Sequence, residues 1–453
     1  MQFGRIKVVW LFLSICMVYT LWMTGFTFIF SECELFPNYT MLAKAFVEGH
    51  LFIQEAPGVD TILMDGKRYL FSGPVPALLR LPVTLLFSSD IPTGLMIVLF
   101  CAGVSTLFAL ILDELSPPGQ AKTLSLIKAI FVLTFIFNGI SLYMVSIPSL
   151  HHESISAAMF FLMMSIYFLL KMHNRGYQPT VSTSILIGLS LSLSVGSRFS
   201  YVYAVAVLGG IFLFGMLKNP GHIPKWKIIR ALILIIVIGM VSLGLLFWYN
   251  YLRFGGVLDF GINYVESMYK NYFLYVGYFR YDHFPYNFWS LFFRTPQFIP
   301  EFPFLLLPRY ILQVKSIGLM PYYLMNTNEL TVSIFSLMPI LMLSVVPLIA
   351  KRSGPGENIE NYLIFLAVLV VQIFSIIFTV TTVARYYYDF LALMMMMTYL
   401  GTAWLKVNGK VSNTMVCLLG VISAVMSFAL PMNAIKFYAK YIDYKSPLLN
   451  IFF

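Results

Sequence analysis

Apolar runs long enough to cross a membrane recur along the chain, separated by short polar breaks. They start near Lys7, Gly94, Lys122, His152, Thr180, Phe199, Arg230, Thr331, Asn361, Tyr386 and Asn413. A helix needs about 20 residues to span the hydrocarbon core, so the pattern predicts an all-α polytopic membrane protein of about eleven transmembrane helices in one domain over residues 1–453. Two stretches interrupt the rhythm, residues 31–93 and 251–330. Both are too long to be turns, and loops of that size in a helical bundle usually carry function.

Inside the first stretch, NYTMLAKAFVEG places Tyr39, Leu42, Ala43, Phe46 and Val47 on one helical face, with Lys44 and Glu48 opposite and Gly49 as a stop. This spacing predicts a helix lying on the membrane surface. A second apolar piece, PALLRLPVTLLF, is too short to span and contains Arg80 and Pro82, so it too belongs at the interface. Between them DGKRYLFSGP forms a hinge that sets Lys67 and Arg68 at headgroup depth. Two readings stand there: a grip on a lipid phosphate, or attraction to anionic headgroups.

Composition agrees, with 59% apolar residues, 17% aromatic, 11% charged and a mean hydropathy of +0.84. The first apolar run is too long for a signal-peptide core and lacks a small-residue cleavage site, which makes it an uncleaved first span. Cys16, Cys101 and Cys417 fall in apolar runs and only Cys33 in a polar one, so no disulfide framework is implied. No Cys/His metal spacing and no phosphate-cradling glycine loop occur, which argues against ATP-driven pumping; no cofactor is expected, and a divalent metal finds no support in the sequence without being ruled out by it. With the N-terminus inside, fourteen Lys and Arg but only Asp113, Glu114, Glu357 and Glu360 fall in cytoplasmic loops, and fifteen bases balance fifteen acids outside. The net charge of +10 is then wholly cytoplasmic. That bias anchors loops to an anionic leaflet and requires no nucleic acid.

Candidate chemistry gathers on the predicted extracytoplasmic side. Glu32 and Glu34 follow the first span directly, where a rigid helix end fixes a carboxylate as a general base; the alternative is a solvated terminus. Further acids there are Asp60, Asp65, Glu153, Asp259 and Asp389. Arg198 in GSRFSY ends one span and Arg385 in ARYYYDF begins another. Arginines at such depth are costly and informative, although snorkelling beside tyrosines also explains them. Asp389 falls four residues after Arg385, where it is placed to orient the guanidinium. His151 and His152 adjoin Glu153, but neighbouring residues do not share a helix face, which favours capping or substrate hydrogen bonding over metal binding. The sequon at Asn38 has meaning only in a eukaryotic lumen. The aromatic-rich residues 271–296 read as an interfacial belt, with some rings left to line a lipid groove or stack on a sugar.

The order of these motifs resembles the bacterial branch of the GT-C glycosyltransferases, relatives of the protein O-mannosyltransferases and the lipid A aminoarabinose transferase. The motifs are an acid after the first span, the Leu42–Leu51 surface helix, the segment Asp60–Pro82, His152-Glu153-Ser154, Gly196–Tyr201, Tyr249–Gly255 and Ala384–Phe390. The likeness runs over most of the chain. It departs in offering Glu32 and Glu34 where Asp is usual, and Gly73-Pro74 where relatives have Pro-Pro. The resemblance implies a GT-C-like bundle whose first outer loop is catalytic. It also implies sugar transfer from a polyprenyl-phosphate donor to an envelope glycan, lipid or protein acceptor, with inversion, at the outer face of the cytoplasmic membrane. Roles follow by position: Glu34 as base with Glu32 second, Arg385, Arg198, Lys67 and Arg68 on the donor phosphate, and Asp60, Asp65, Tyr69, His152 and Glu153 on substrate. The residues agree, since an inverting transfer needs one carboxylate base and positive charge for a phosphate leaving group. The rival reading is a transporter or flippase for lipid-linked saccharides, which requires midplane charge and broken helices.

Overall fold

The computed structural model describes residues 5–30, 37–54, 61–87, 89–116, 119–120, 122–176, 179–218, 224–261, 279–317, 320–349, 357–379, 382–442 and 446–452. It is mostly helical, and eight of its helices are long and apolar enough to cross a membrane. Glu32, Glu34 and Asp60 lie outside the described residues.

Three helices form the centre: α5 (Thr93–Glu114), α8 (Leu150–Asn174) and the segment from Ala384 into α14 (Tyr388–Val407). Each is apolar around most of its circumference because protein surrounds it, and 72–83% of each spanning stretch is buried. At the rim stand α1 (Arg5–Met23) and α11 (Lys225–Phe254), where only 17% and 11% are buried. Their outward Trp10, Val237, Met240 and Leu245 suit a lipid solvent. Between these lie α6 (Ser125–Phe137) and α7 (Gly139–Ser146), which together make one span, and α13 (Glu357–Ile377) and α15 (Asn413–Ile442). Gly139 lets α7 and α15 touch: a Cβ there would meet the Ser427 carbonyl, and the Gly139 N–H donates to the Ser427 hydroxyl at 2.7 Å.

Three of the eleven expected spans take another form. The windows at Thr180 and Phe199 hold the shorter α9 (Val181–Ser197) and α10 (Val202–Lys218). That at Thr331 is broken into a turn of helix at Ile334–Leu337, a 3-10 stretch at Pro339–Val345 and a last turn at Val346–Ile349. Pro339 and Pro347 supply no N–H to a continuous ladder, which accounts for the breaks.

At one end of the bundle Asp113 pairs with Lys128 at 2.5 Å and Asn174 donates to Glu114 at 3.0 Å. The two long loops gather at the other. There α2 (Asn38–Val47) stops at Gly49, whose φ is +78°. The expected face is real for Tyr39, Leu42 and Ala43, which pack on Ile53, Leu70, Ala77 and Leu150. Val47 is exposed, and the face is spent on protein rather than on a membrane surface. Open apolar surface belongs instead to α4 (Leu81–Phe87), where Leu85, Leu86 and Phe87 are exposed.

The hinge between them is a hairpin, β1 (Thr61–Met64) with β2 (Lys67–Leu70). Its two-residue turn, Asp65-Gly66, has both φ angles positive at 51° and 73°, as a type I′ turn requires. Gly73 then meets α9 so closely that a Cβ would lie 2.0 Å from the Gly196 carbonyl oxygen. That contact leaves room only for glycine at position 73. It presses the loop onto the turn carrying Arg198, and Pro74 starts the one-turn helix α3 (Val75–Leu78).

The second long loop adds the helix α12 (Phe284–Phe292) and two small hairpins, Gln297–Phe298 with Leu305–Leu306 and Arg309–Ile317 with Met320–Leu330. Asn287, fully buried, donates to the Ile377 and Thr379 carbonyls, both at 2.8 Å, and so docks α12 on the end of α13.

Candidate functional site

At the loop-rich end α8 starts after Ser149, whose hydroxyl accepts the His152 N–H at 3.4 Å. The cap fixes the first turn, and its three polar residues separate. His151 packs on Phe71, ring centroids 5.7 Å apart. His152 turns inward and is 1% exposed, with Nδ1 3.1 Å from the Met144 carbonyl and its ring edge-on to Tyr143 at 4.9 Å. A carbonyl only accepts, so Nδ1 carries the proton and Nε2 presents a lone pair. Among the described residues no group of three or more His, Cys, Asp or Glu stands ready for a metal.

Glu153 is wholly buried in a two-pronged pair with the Arg80 guanidinium, one contact at 2.9 Å. Arg80 also donates to the Pro76 carbonyl at 3.0 Å and the Ile91 carbonyl at 3.4 Å. Glu153 was expected to face substrate. Its carboxylate instead ties α8 to the α3–α4 segment, because both oxygens are committed to a guanidinium that the apolar run PALLRLP carries into the core. Arg80, expected at the interface, is 0% exposed.

The phosphate candidates Arg198 and Arg385 do converge. Arg198 leaves α9 in extended conformation, before a 3-10 turn at Phe199–Tyr201. Arg385 lies in a matching 3-10 turn, Ala384–Tyr387, that leads into α14. Both guanidiniums rest on the Tyr386 ring, at 5.0 and 5.5 Å from its centroid. Beneath them Asp389 is fully buried, accepting the Tyr201 hydroxyl at 2.7 Å and ion-paired with Arg198 at 3.3 Å. Asp389, expected to orient Arg385, its i+4 neighbour, also braces Arg198. Tyr201 was legible in GSRFSY as a residue but not as the partner of a carboxylate 188 positions away.

The other candidates sit on the hairpin. Asp65 is at its exposed tip, Lys67 stands over the Phe52 ring at 5.0 Å, and Arg68 donates to the Thr61 hydroxyl at 3.1 Å. Tyr69 is buried, its ring 5.6 Å from that of Phe254, and burial pushes its phenol up, with Asp65 adding to the shift and Arg253 opposing it. Asn38 is 1% exposed, so the sequon is closed to modification as folded.

An arginine fork differs from an ammonium mainly in geometry, because both carry the charge. Arg385→Lys is therefore expected to fold and express normally while losing at least tenfold in donor affinity or turnover, about 1.4 kcal/mol. Unchanged kinetics would make Arg385 an interfacial anchor and shift the anion toward Arg198.

No family model matches the chain, and no curated protein matches it. Solved structures do. ArnT from Cupriavidus metallidurans bound to undecaprenyl phosphate is similar at 10% identity and a TM-score of 0.46, over 95% of this chain and 76% of that one. Its apo state gives 10% and 0.44, over 94% and 75%. The apo oligosaccharyltransferase of Archaeoglobus fulgidus gives 11% and 0.46, over 95% of this chain but 56% of its own.

Proposed function

We propose that this chain is a membrane glycosyltransferase that transfers a sugar from a polyprenyl-phosphate donor to an envelope glycan, lipid or protein, with inversion, on the extracytoplasmic face. The observation that carries the reading is the convergence of Arg198 and Arg385 on Tyr386, braced by Asp389 and Tyr201. Sugar transfer from a lipid phosphate leaves a phosphate monoester, and preorganised guanidiniums stabilise the charge that develops on its bridging oxygen. A carboxylate on the opposite side of the anomeric carbon takes the acceptor proton. Glu34 or Glu32, both next in sequence after the first span, is proposed for that role. The exposed Leu85, Leu86 and Phe87 of α4 give an isoprenoid chain an apolar approach.

Purified full-length protein in lipid is expected to transfer sugar from a polyprenyl-phosphate sugar and not from a nucleotide sugar. Transfer from the nucleotide sugar alone would refute the donor assignment. Movement of an intact lipid-linked saccharide across vesicles, without any transfer, would move the reading to a flippase.

A further inference from the structure

Helix α12 carries its polarity inside out. His283 before it and Asn287, Ser290 and Leu291 along it recur at helical spacing and are buried. Phe284, Phe288, Trp289 and Phe293 face outward, between 38% and 59% exposed. A helix in water shows the reverse, so this face belongs against an apolar phase.

What covers it follows from where the helix is fixed. Besides the Asn287 bonds to the Ile377 and Thr379 carbonyls, the Phe378 carbonyl accepts the Arg280 N–H at 2.9 Å. These carbonyls close the end of α13, a helix long and apolar enough to cross the membrane, so α12 lies where hydrocarbon gives way to headgroups. Leu363, Val370 and Phe374 recur on one face of α13 and are exposed there, as lipid around a span allows. From Phe374 the rings run on without a break: Phe378 at 4.4 Å, then Phe284 at 5.6 Å, Phe288 at 5.5 Å and Phe293 at 5.7 Å, each between centroids. The aromatic face of α12 thus continues the lipid face of a span. At its edge Arg294 stands over the Trp289 ring at 5.7 Å and donates to the Tyr286 hydroxyl at 3.2 Å, a pairing of guanidinium and aromatic rings suited to headgroup depth.

Both ends of α12 also reach the Arg385 turn. Its start holds residues 377–379, which precede that turn in the chain. At its other end the Ser333 hydroxyl donates to the Phe292 carbonyl at 2.6 Å, and the neighbouring Val332 N–H donates at 2.9 Å to the hydroxyl of Tyr387, in the same 3-10 turn as Arg385.

We propose that the Phe284–Phe293 face of α12 inserts among the lipid chains of the bilayer leaflet at the loop-rich end, and that the contacts at its two ends hold the Arg385 turn at headgroup depth. The second clause rests on the assignment of Arg385 to the donor phosphate; the first stands without it.

Trp289 reports on the face directly. Full-length protein is placed in nanodiscs of phosphatidylcholine, and the Trp289 emission is taken as the difference between the wild-type protein and Trp289→Phe. Phosphatidylcholine brominated near the glycerol end of its chains is expected to quench most of that emission, and aqueous iodide little of it. Quenching by iodide with none by the bromolipid would put the face in water and overturn the proposal. Protection from both quenchers would put a protein there, with the same consequence. Phe288→Glu/Phe293→Glu charges the inserted face and leaves Asn287 in place. Trp289 is then expected to open to iodide, and KM for the polyprenyl-phosphate sugar to rise about tenfold or more with kcat changed less. Phe288→Leu/Phe293→Leu keeps the face apolar and should match the wild type in both readouts, which separates insertion from a folding defect. Wild-type kinetics in a glutamate variant whose Trp289 has moved into water would overturn the depth-setting role. A wild-type protein that transfers no sugar although bromolipid quenches Trp289 would refute the donor reading, and with it the second clause, while upholding the first.

Discussion

Glu34→Gln is expected to lower the rate of sugar transfer by about 10²- to 10⁴-fold, the usual loss when a positioned base is removed, with donor binding little changed. Several other acids among the described residues are already occupied. Glu153 is held by Arg80, Asp389 by Tyr201 and Arg198, Asp282 by Arg280 at 2.6 Å and Asp90 by Lys44 at 2.7 Å. Asp259 accepts the Gly261 N–H at 2.7 Å. A carboxylate whose oxygens are already committed to donors lacks the free lone pair that taking a proton needs. Glu34 and Glu32 remain the proposed bases by their place after the first span, and Glu34 stands farther along the chain than Glu32. Transfer assays on purified Glu34→Gln and Glu32→Gln, with pH profiles of each, decide the order. Loss in the Glu32 variant alone reverses it, and full activity in both moves the base to Asp60.

How much of this was written in the sequence depends on whether a feature is local. The face of α2 was legible because three- and four-residue spacing is a property of one helix, and Tyr39, Leu42 and Ala43 are buried as that spacing requires. What covers the face was not, since Ile53, Leu70, Ala77 and Leu150 come from four other elements. The arginines of GSRFSY and ARYYYDF were legible as misplaced charges because the cost of burying them is intrinsic to the residue. Their bracing was not, for Asp389 meets Tyr201 across 188 positions of chain and Arg198 across a similar span. Arg253 falls inside the Tyr249–Gly255 motif, where spacing gives it no role, and only the fold shows it to be buried beside Leu70.

Arg80 illustrates the same limit and carries the second large expectation. Arg80→Met is expected to lower the stability of the detergent-solubilised protein by about 3–5 kcal/mol, the cost of leaving one charge of a buried pair behind. Glu153→Leu should cost a similar amount for the same reason. The double substitution removes both charges together, and apolar replacements of similar volume at buried ion pairs are often neutral or stabilising. It should therefore be more stable than either single variant, giving a large coupling energy in a double-mutant cycle. Recovery will be partial, because the Pro76 and Ile91 carbonyls also lose the donor that Arg80 gave them. Chemical unfolding of the four proteins reads the cycle. Additive losses would mean that the pair stabilises through separate contacts, and the α8 to α3–α4 tie would lose its energetic basis. The pair also has a functional reading, because Glu153 follows His152 and Arg80 sits between α3 and α4, the segment beyond the Gly73 contact with α9. If the tie holds His152 and the loop in register, the rescued double variant will fold and still transfer sugar slowly, with KM raised more than kcat is lowered. A rescued variant with wild-type kinetics would confine Arg80 and Glu153 to holding the bundle together.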